Sequence, residues 1–183
     1  MSALTDCAVL PDHIENGCND FRKGGISAVA VLKTDHGITD FTNAAQWQSA
    51  IDAGNVKLIK NIKATIGEAS PVEGENPVPC GSENILDLLD QTATWKDFNV
   101  NALNDSFYGQ LNLAAGRSFA YYYCNEEEIR VVDSGNVTFT ALPATSPESN
   151  REKQFYPVTA KWTSKPEEFP VLYSAPAGIF TAE

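Results

Sequence analysis

The sequence predicts a mainly β or α+β fold, an antiparallel β-sandwich or barrel with two short helices packed on it. The prediction depends on residues 136–142 and 154–163, where every second residue is apolar. The apolar positions are Val137, Phe139 and Ala141 in the first segment, and Tyr156, Val158, Ala160 and Trp162 in the second. Such alternation indicates strands with one face on a core and the other toward water or a partner. Residues 117–163 contain one such segment after another, without a recognisable catalytic set.

The first part of the domain predicts a strand, a helix and a second strand. They lie at residues 26–32, 40–54 and 55–64. The first strand is a short apolar run bounded by glycines. The helix has amphipathic spacing, with Asp40 or Thr42 as its N-cap. Gly54 offers the left-handed residue that ends it.

A proline-rich and glycine-rich segment follows. Residues 67–83 contain three prolines and three glycines, so we predict a long irregular loop of the kind that is often functional or mobile. Residues 85–89 fit a short helical turn. Residues 91–95 favour a strand, because β-branched and aromatic residues dominate there.

A second helix is predicted at residues 101–115, because Leu103, Phe107 and Leu111 recur every four residues along one helical face. Further strands are predicted at residues 118–124, 129–133, 136–142, 155–163 and 171–174. Residues 133–136 predict a tight hairpin turn between two of these strands.

The length of 183 residues fits one domain with terminal extensions. Residues 1–25 predict a turn-rich N-terminal arm or loop. Residues 26–174 form the single β-rich domain, which contains the predicted loop 67–83, and residues 175–183 form a C-terminal tail. The tail is apolar but contains proline and glycine, so we expect it either to pack irregularly on its own domain or to dock in a neighbour.

The charge of the chain excludes some partners. Asp and Glu total 24 against 13 Lys and Arg, for a net charge of -11. An acidic surface repels phosphate backbones and anionic lipids, so we expect neither sequence-specific nucleic-acid binding nor membrane association. Residues 1–10 lack the basic start and apolar run of a secretory signal, which predicts synthesis and assembly in a cytoplasm.

Residues that carry chemistry are scarce. His13 and His36 are the two histidines, and both lie in turn-like contexts without a nucleophile motif beside them. No phosphate-binding or dinucleotide-binding glycine motif is present. The four cysteines lack C-x-x-C spacing, so we predict free thiols. Residues 126–128 are three glutamates that fit a solvated hairpin tip better than a cation site. We predict no catalytic residue, no cofactor and no metal.

Features typical of assembly are better represented. Tyrosine is enriched at protein interfaces, and three consecutive tyrosines alternate between the two faces of one predicted strand. The residues predicted as subunit contacts are Tyr121, Tyr122, Tyr123, Pro71, Pro77, Pro79, Ile179 and Phe180. We expect self-association into a ring or lattice.

Several short motifs add a resemblance to a known class. They are Cys7, Pro11, Gly17-Cys18, Gly24-Gly25-Ile26, Trp47, Gly54, Trp95-Lys96-Asp97-Phe98-Asn99, Phe107-Tyr108 and Leu111. Together they resemble small virion structural proteins of tailed phages that infect Bacteroidetes, including crAss-like phages. The order of strand, helix and antiparallel strands in residues 82–163 is similar to that of phage tail tube proteins.

The resemblance implies a tail tube subunit that forms hexameric rings, stacked around an acidic conduit for DNA and located in the virion with other virion proteins. Residues 67–83 or 133–136 would then reach the next ring. A capsid decoration or head–tail joining protein is one alternative. A carbohydrate- or protein-binding β module that uses Trp95, Trp162 or the tyrosines is another. An enzyme is the third, and a cleft holding His13 or His36 with a carboxylate would favour it.

Overall fold

The structure, a computed structural model, describes residues 25–78, 81–114, 116–124, 127–145 and 153–181, with the backbone alone for residues 75–78 and 81–85. His13, Pro79 and most of the predicted N-terminal arm lie outside these ranges. The described elements are β1 (Ile26–Lys33), α1 (Ala44–Asp52), β2 (Val56–Ile66), β3 (Ser70–Val78), β4 (Gly81–Asp97), α2 (Ala102–Leu111), β5 (Arg117–Tyr123), β6 (Glu128–Ala141), β7 (Tyr156–Ser164) and β8 (Val171–Ser174).

Six of the strands close into an antiparallel barrel, in the order β2-β1-β5-β6-β7-β4. The barrel is closed by pairing of β2 with β4, where Lys63–Ile66 lie opposite Ala93–Lys96. The predicted fold class is therefore confirmed as a barrel with two short helices. Two strands lie outside the ring, because β3 extends from β4 and β8 pairs with β6. Among the described helices, none is long and apolar enough to cross a membrane.

The barrel interior is organised around Phe119, which is completely buried. Its ring stacks on Trp95 with centroids 5.9 Å apart. The rings of Phe139 and Trp162 each lie 5.9 Å from it as well. The alternating positions of β6 and β7 that the sequence assigned to a core all point into this interior. Burial of aromatic side chains at every second position supplies the main hydrophobic stabilisation of the barrel.

A second core lies on the outer surface of β1 and β5. Small residues of β1, Ala28 and Ala30, let α1 and the C-terminal segment approach the sheet closely. Trp47 of α1 is fully buried there, with its ring 5.0 Å from that of Phe180. Phe180 also stacks on Tyr122 at 5.4 Å. Of the two sequence-based alternatives for the tail, packing on its own domain is the one observed.

Both helices begin at an asparagine. The Asn43 side chain accepts hydrogen bonds from the N–H groups of the first turn of α1, and Asn101 does the same for α2. The prediction of Asp40 or Thr42 as the first cap was wrong, because the Asp40 carboxylate instead accepts from Thr42 and folds the preceding turn. Gly54 has the predicted left-handed conformation, with φ of 72°.

The buried face of α2 differs from the predicted one. Tyr108 and Leu111 point into the barrel, and Phe107 is half-buried beside them. Leu103 is 83% exposed, because it lies on the solvent side of the first helical turn. The spacing of four residues identified the helix but not its buried face. Leu103 and Leu111 are more than two turns apart and point in different directions around the helix axis, so only Leu111 contacts the barrel.

The predicted irregular loop at residues 67–83 is wrong in most of its length. Residues 70–78 form β3 and pair in antiparallel register with the first half of β4, so residues 85–89 are strand and not a helical turn. Prolines are tolerated here because β3 is an edge strand, where a missing N–H breaks no ladder on the outer side. Pro71 lies opposite Leu89, and Pro77 lies opposite Ser82.

The predicted hairpin at residues 133–136 is also wrong, because β6 runs through it without reversing. The register with β5 jumps there, from Phe119 opposite Val132 to Arg117 opposite Val137. The extra residues form a large bulge in which Gly135 has φ of 65°. The bulge lets β6 pair with β5 and β8 before it and with β7 after it.

Two glycines give a matched stability prediction. Gly135→Ala places a side chain on a left-handed residue and should lower the free energy of unfolding by about 1–2 kcal/mol. Gly109→Ala adds a methyl group in open space on an exposed helix and should raise it by about 0.5–1 kcal/mol. Urea unfolding of both variants measures the two values. Shifts of the same sign would contradict the assigned backbone conformations.

Candidate functional site

The most prominent surface feature is a two-stranded ribbon, defined as residues 70–78 and 81–88. Along this stretch β4 pairs only with β3, whereas from Leu89 onward it pairs with β7 in the barrel. Within these residues β3 and β4 form seven paired positions. At about 3.3 Å each, they make the ribbon roughly 23 Å long. β3 has no paired neighbour on its outer side within the described structure.

The described side chains of the ribbon leave apolar groups in water. Val72 and Leu86 are 36% and 47% exposed, and Pro71 is exposed beside them. An isolated two-stranded ribbon is only marginally stable, and an open edge is a template for pairing with another chain. The ribbon therefore presents both exposed apolar side chains and an open strand edge.

A second feature is an uncovered outer face of the barrel, here called the wall. It consists of outward-facing residues on β2, β4, β7 and the second half of β6: Lys63, Thr65, Thr92, Thr94, Lys96, Thr138, Thr140, Thr159, Lys161 and Thr163. No helix or tail of the described structure covers it, in contrast to the face of β1 and β5.

The strand registers align four threonines across the wall. Thr65 lies opposite Thr94, Thr94 opposite Thr159, and Thr159 opposite Thr140. The four hydroxyl groups make no hydrogen bond within the described ranges, so each has both a donor and an acceptor to offer. The result is a row of hydroxyl and methyl groups across four neighbouring strands.

The wall is basic although the chain is acidic. Lys63 lies directly opposite Lys96, and Lys161 lies between Thr92 and Thr138. Directly opposed like charges in a sheet are unfavourable. None of the three lysines forms an ion pair with a described residue. The wall therefore has the character of an anion-binding surface.

The wall also has a shallow depression of about 450 Å³, lined by lysines and threonines together with Phe98 and Pro157. Phe98 is 47% exposed, and its ring lies 5.7 Å from that of Phe155. Lys96 places its ammonium group 4.4 Å from the centre of the Phe155 ring, a cation–π contact. The depression therefore combines positive charge with an apolar floor.

A histidine with a carboxylate partner in a cleft would favour an enzyme. His36 meets part of this condition, because its ring lies 3.1 Å from the carboxylate of Asp133. That carboxylate also accepts a hydrogen bond from Ser118 at 2.9 Å. The other ring nitrogen, Nδ1, accepts from the Ile38 N–H at 3.0 Å. Both nitrogens are thus occupied by the protein, and the ring is only 6% exposed. Because the serine contacts Asp133 rather than the histidine, the cluster lacks the order of a nucleophilic triad.

The same cluster has a structural task. Ser118 also accepts a hydrogen bond from the Gly135 N–H at 3.3 Å, which ties β5 to the bulge of β6. Asp133 lines a groove of about 430 Å³, but His36 does not reach it. The groove is bordered by exposed Phe169 and Val171. The geometry therefore supports fixation of the bulge, and the charged side chains that line the groove are Asp133, Lys165 and Glu168.

A second buried cluster fastens α2 to the barrel. Tyr108 donates to the buried carboxylate of Asp97 at 2.7 Å, and Tyr156 donates to Asp105 at 2.7 Å. Burial raises the pKa of Tyr108, and its hydrogen bond to Asp97 raises it further. Burial also raises the pKa of Tyr156, with a further contribution from Asp105. These two carboxylates are thus committed to tyrosines within the fold.

Four of the eight residues predicted as subunit contacts are buried within the chain itself. Tyr121 points into the barrel and Tyr122 into the outer core, as their alternation required, but both faces of β5 are buried. Ile179 and Phe180 are covered by the chain itself. The correction has one cause: α1 and the C-terminal segment cover a sheet face that the sequence left open.

The remaining predicted contact residues are less covered. Pro71 is exposed in the ribbon, Tyr123 is half-exposed at the end of β5, and Pro77 is described by its backbone alone, within the ribbon. Trp95 and Trp162, proposed as a carbohydrate platform, are each 3% exposed. Sequence reasoning missed the wall, although threonine and lysine at every second position of β4 and β7 were a usable signal.

Comparisons with known proteins add no relative: no protein-family model, no curated protein and no solved structure matches the chain. The function is therefore inferred from the ribbon, the wall and the two buried polar clusters.

The tyrosine cluster predicts a pH dependence of stability. Because the pKa of Tyr108 is raised in the folded protein, its stabilising effect is complete below its ordinary pKa of about 10 and is lost as the pH rises above that value. Above about pH 10, the free energy of unfolding of Tyr108→Phe should therefore fall less steeply than that of the unmodified protein, by about 1.4 kcal/mol per pH unit.

Urea unfolding between about pH 8 and about pH 11 measures this difference. Leu111→Ala is the matched control, because it removes a buried neighbour without a titratable group. Its curve should run parallel to that of the unmodified protein. Parallel curves for Tyr108→Phe as well would contradict the prediction.

The His36 cluster predicts a stability effect. His36→Ala removes the ring that bonds both Asp133 and the Ile38 N–H, and should lower the free energy of unfolding by about 2 kcal/mol. Asp35→Ala, an exposed neighbour, should change it by less than about 0.5 kcal/mol. Thermal and urea unfolding measure both. An equal loss in the two variants would mean that the loop, and not the histidine cluster, determines the effect.

Proposed function

We propose that this protein is a non-enzymatic structural subunit of a phage virion, and that it self-associates as a tail tube protein does. The observation that carries the proposal is the ribbon, which extends beyond a closed barrel and exposes Val72, Leu86 and an unpaired strand edge. Closed barrels have no free edges of their own. A protruding ribbon on such a barrel is thus a specific place for one subunit to contact another.

The other classes have less support. A carbohydrate-binding module would present aromatic rings, but the tryptophans proposed for it are buried in the barrel. An enzyme would present a proton-transfer group to a cleft, but both nitrogens of His36 are bonded within the fold. The groove of about 430 Å³ has no histidine among its lining residues. Assembly is left as the function that the exposed features favour.

The choice of a tail tube among possible assemblies is based on the sequence resemblance. It implies hexameric rings stacked around a DNA conduit, built in the host cytoplasm with other virion proteins and without a cofactor. In such a tube the ribbon would reach a neighbouring subunit, in the same ring or in the next. Head-to-tail contacts of this kind close into rings when the rotation allows it.

In this proposal the DNA conduit has an acidic lining, which a surface other than the wall has to supply. The wall carries three lysines, and one acidic residue, Asp90, lies on the same face of the barrel. Further described acidic residues are Glu73 and Asp87 on the ribbon and Glu68 just before it. A capsid decoration or head–tail joining protein would use the same ribbon under another symmetry.

Self-association is the first test. Light scattering over a wide range of protein concentration should detect oligomers, and electron micrographs should show sixfold stacked rings. Icosahedral lattice positions would instead indicate the capsid alternative. A monomer at every concentration would contradict the proposal.

A shortened variant connects the assembly to the ribbon. Replacing residues 72–87 with two glycines keeps the β4 pairing that belongs to the barrel and should give a folded monomer by circular dichroism. Leu103→Ser combined with Leu113→Ser removes the two most exposed leucines of the described structure, at 83% and 87%. This control should assemble normally. Loss of assembly in the control alone would assign the contact to α2.

A further inference from the structure

The ribbon and the wall have complementary charge. Residues 70–78 and 81–88 contain four acidic residues and neither lysine nor arginine. The structure describes the side chains of two of them, Glu73 and Asp87, and both are exposed. The wall carries Lys63, Lys96 and Lys161, none of them paired with a described carboxylate, and one acidic residue, Asp90, lies on the same face. The ribbon is thus acidic, whereas lysines outnumber acidic residues on the wall.

The chemistry of the two surfaces also agrees beyond charge. The wall offers threonine hydroxyls as donors to carboxylates, next to the apolar floor at Phe98. The ribbon offers carboxylates interleaved with Val72 and Leu86. An extended acidic peptide with apolar side chains is therefore the ligand that the depression of about 450 Å³ fits.

The occupant has to come from another molecule. The ribbon of the same chain leaves the barrel at Leu89 and packs substantially on no element other than its own two strands. Its own wall is accordingly left uncovered, with Lys63 and Lys96 exposed. A contact between the ribbon of one copy and the wall of the next is heterologous, and such contacts propagate into rings or filaments.

We infer that the acidic ribbon of one copy binds the lysine–threonine wall of a second copy. The inference rests on the proposed function and names the two surfaces that meet. A ribbon of about 23 Å by 10 Å covers roughly 230 Å² of wall, below the roughly 800 Å² per partner of a standard stable interface. A single contact is therefore weak, and closure of a ring, in which every subunit makes two contacts, is required for stability.

Charge reversal tests the contact directly. The wall variant carries Lys63→Glu and Lys96→Glu, and the ribbon variant carries Glu73→Lys and Asp87→Lys. All four positions are exposed, so both variants should fold, which circular dichroism verifies. Each variant alone should lose at least tenfold in association affinity by light scattering. The unmodified assembly should also weaken as salt rises to about 0.5 M.

Mixing the two variants is the decisive step. The acidic ribbon of the wall variant then faces the lysine wall of the ribbon variant, and the reversed ribbon faces the reversed wall. Equimolar mixing should restore assembly with alternating copies. The control with Lys57→Glu and Lys153→Glu has the same change in net charge at exposed positions off the wall, and should assemble like the unmodified protein.

The outcomes separate this inference from the proposed function. If the unmodified protein assembles and the wall variant assembles equally well, the inference is wrong and the proposed function stands. A monomeric unmodified protein overturns both. A labelled single-stranded DNA oligonucleotide is the competing probe: if it binds the unmodified protein, fails to bind the wall variant, and assembly is the same in both, the wall is a nucleic-acid surface and the inference is overturned.

Discussion

Closure of the six-stranded barrel around Phe119 is the constraint on which the rest of the structure depends. Pairing of β2 with β4 completes the ring and encloses the stacked rings of Phe119 and Trp95. Closure uses the hydrogen-bonding edges of the six barrel strands. What projects beyond it, the first half of β4 with β3, therefore becomes the open ribbon. Closure of the barrel thus determines both the stability of the domain and the position of the open strand edge that can contact another chain.

The polar residues most suggestive of chemistry are used for architecture. Asp133 joins His36 and Ser118 at the bulge that redirects β6, and Asp97 fastens α2 through Tyr108. The buried carboxylate of Asp97 requires such a partner, because an unpaired charge in the interior is costly. The Asp133 carboxylate, which is 46% exposed, holds the bulge from the surface.

The distribution of charge matters more than its total. A net charge of -11 by itself suggests a uniformly acidic particle. The strand registers instead place Lys63 opposite Lys96 and leave them on an uncovered face, while acidic residues gather along the ribbon. Repulsion within each surface and attraction between them favour association of unlike faces over like ones.

The sequence by itself determined the strands of β6 and β7, the two helices and the mainly β class, because the alternation of apolar residues is a local property. It did not determine that β3 exists, since a strand with two prolines forms only when β4 supplies a partner ladder. Nor did it place Tyr122 and Phe180 in one core, because segments far apart in the chain meet only after the barrel closes. The wall is a tertiary feature for the same reason: each strand carries its own threonines and lysines, and only the register between strands brings Lys63 next to Lys96.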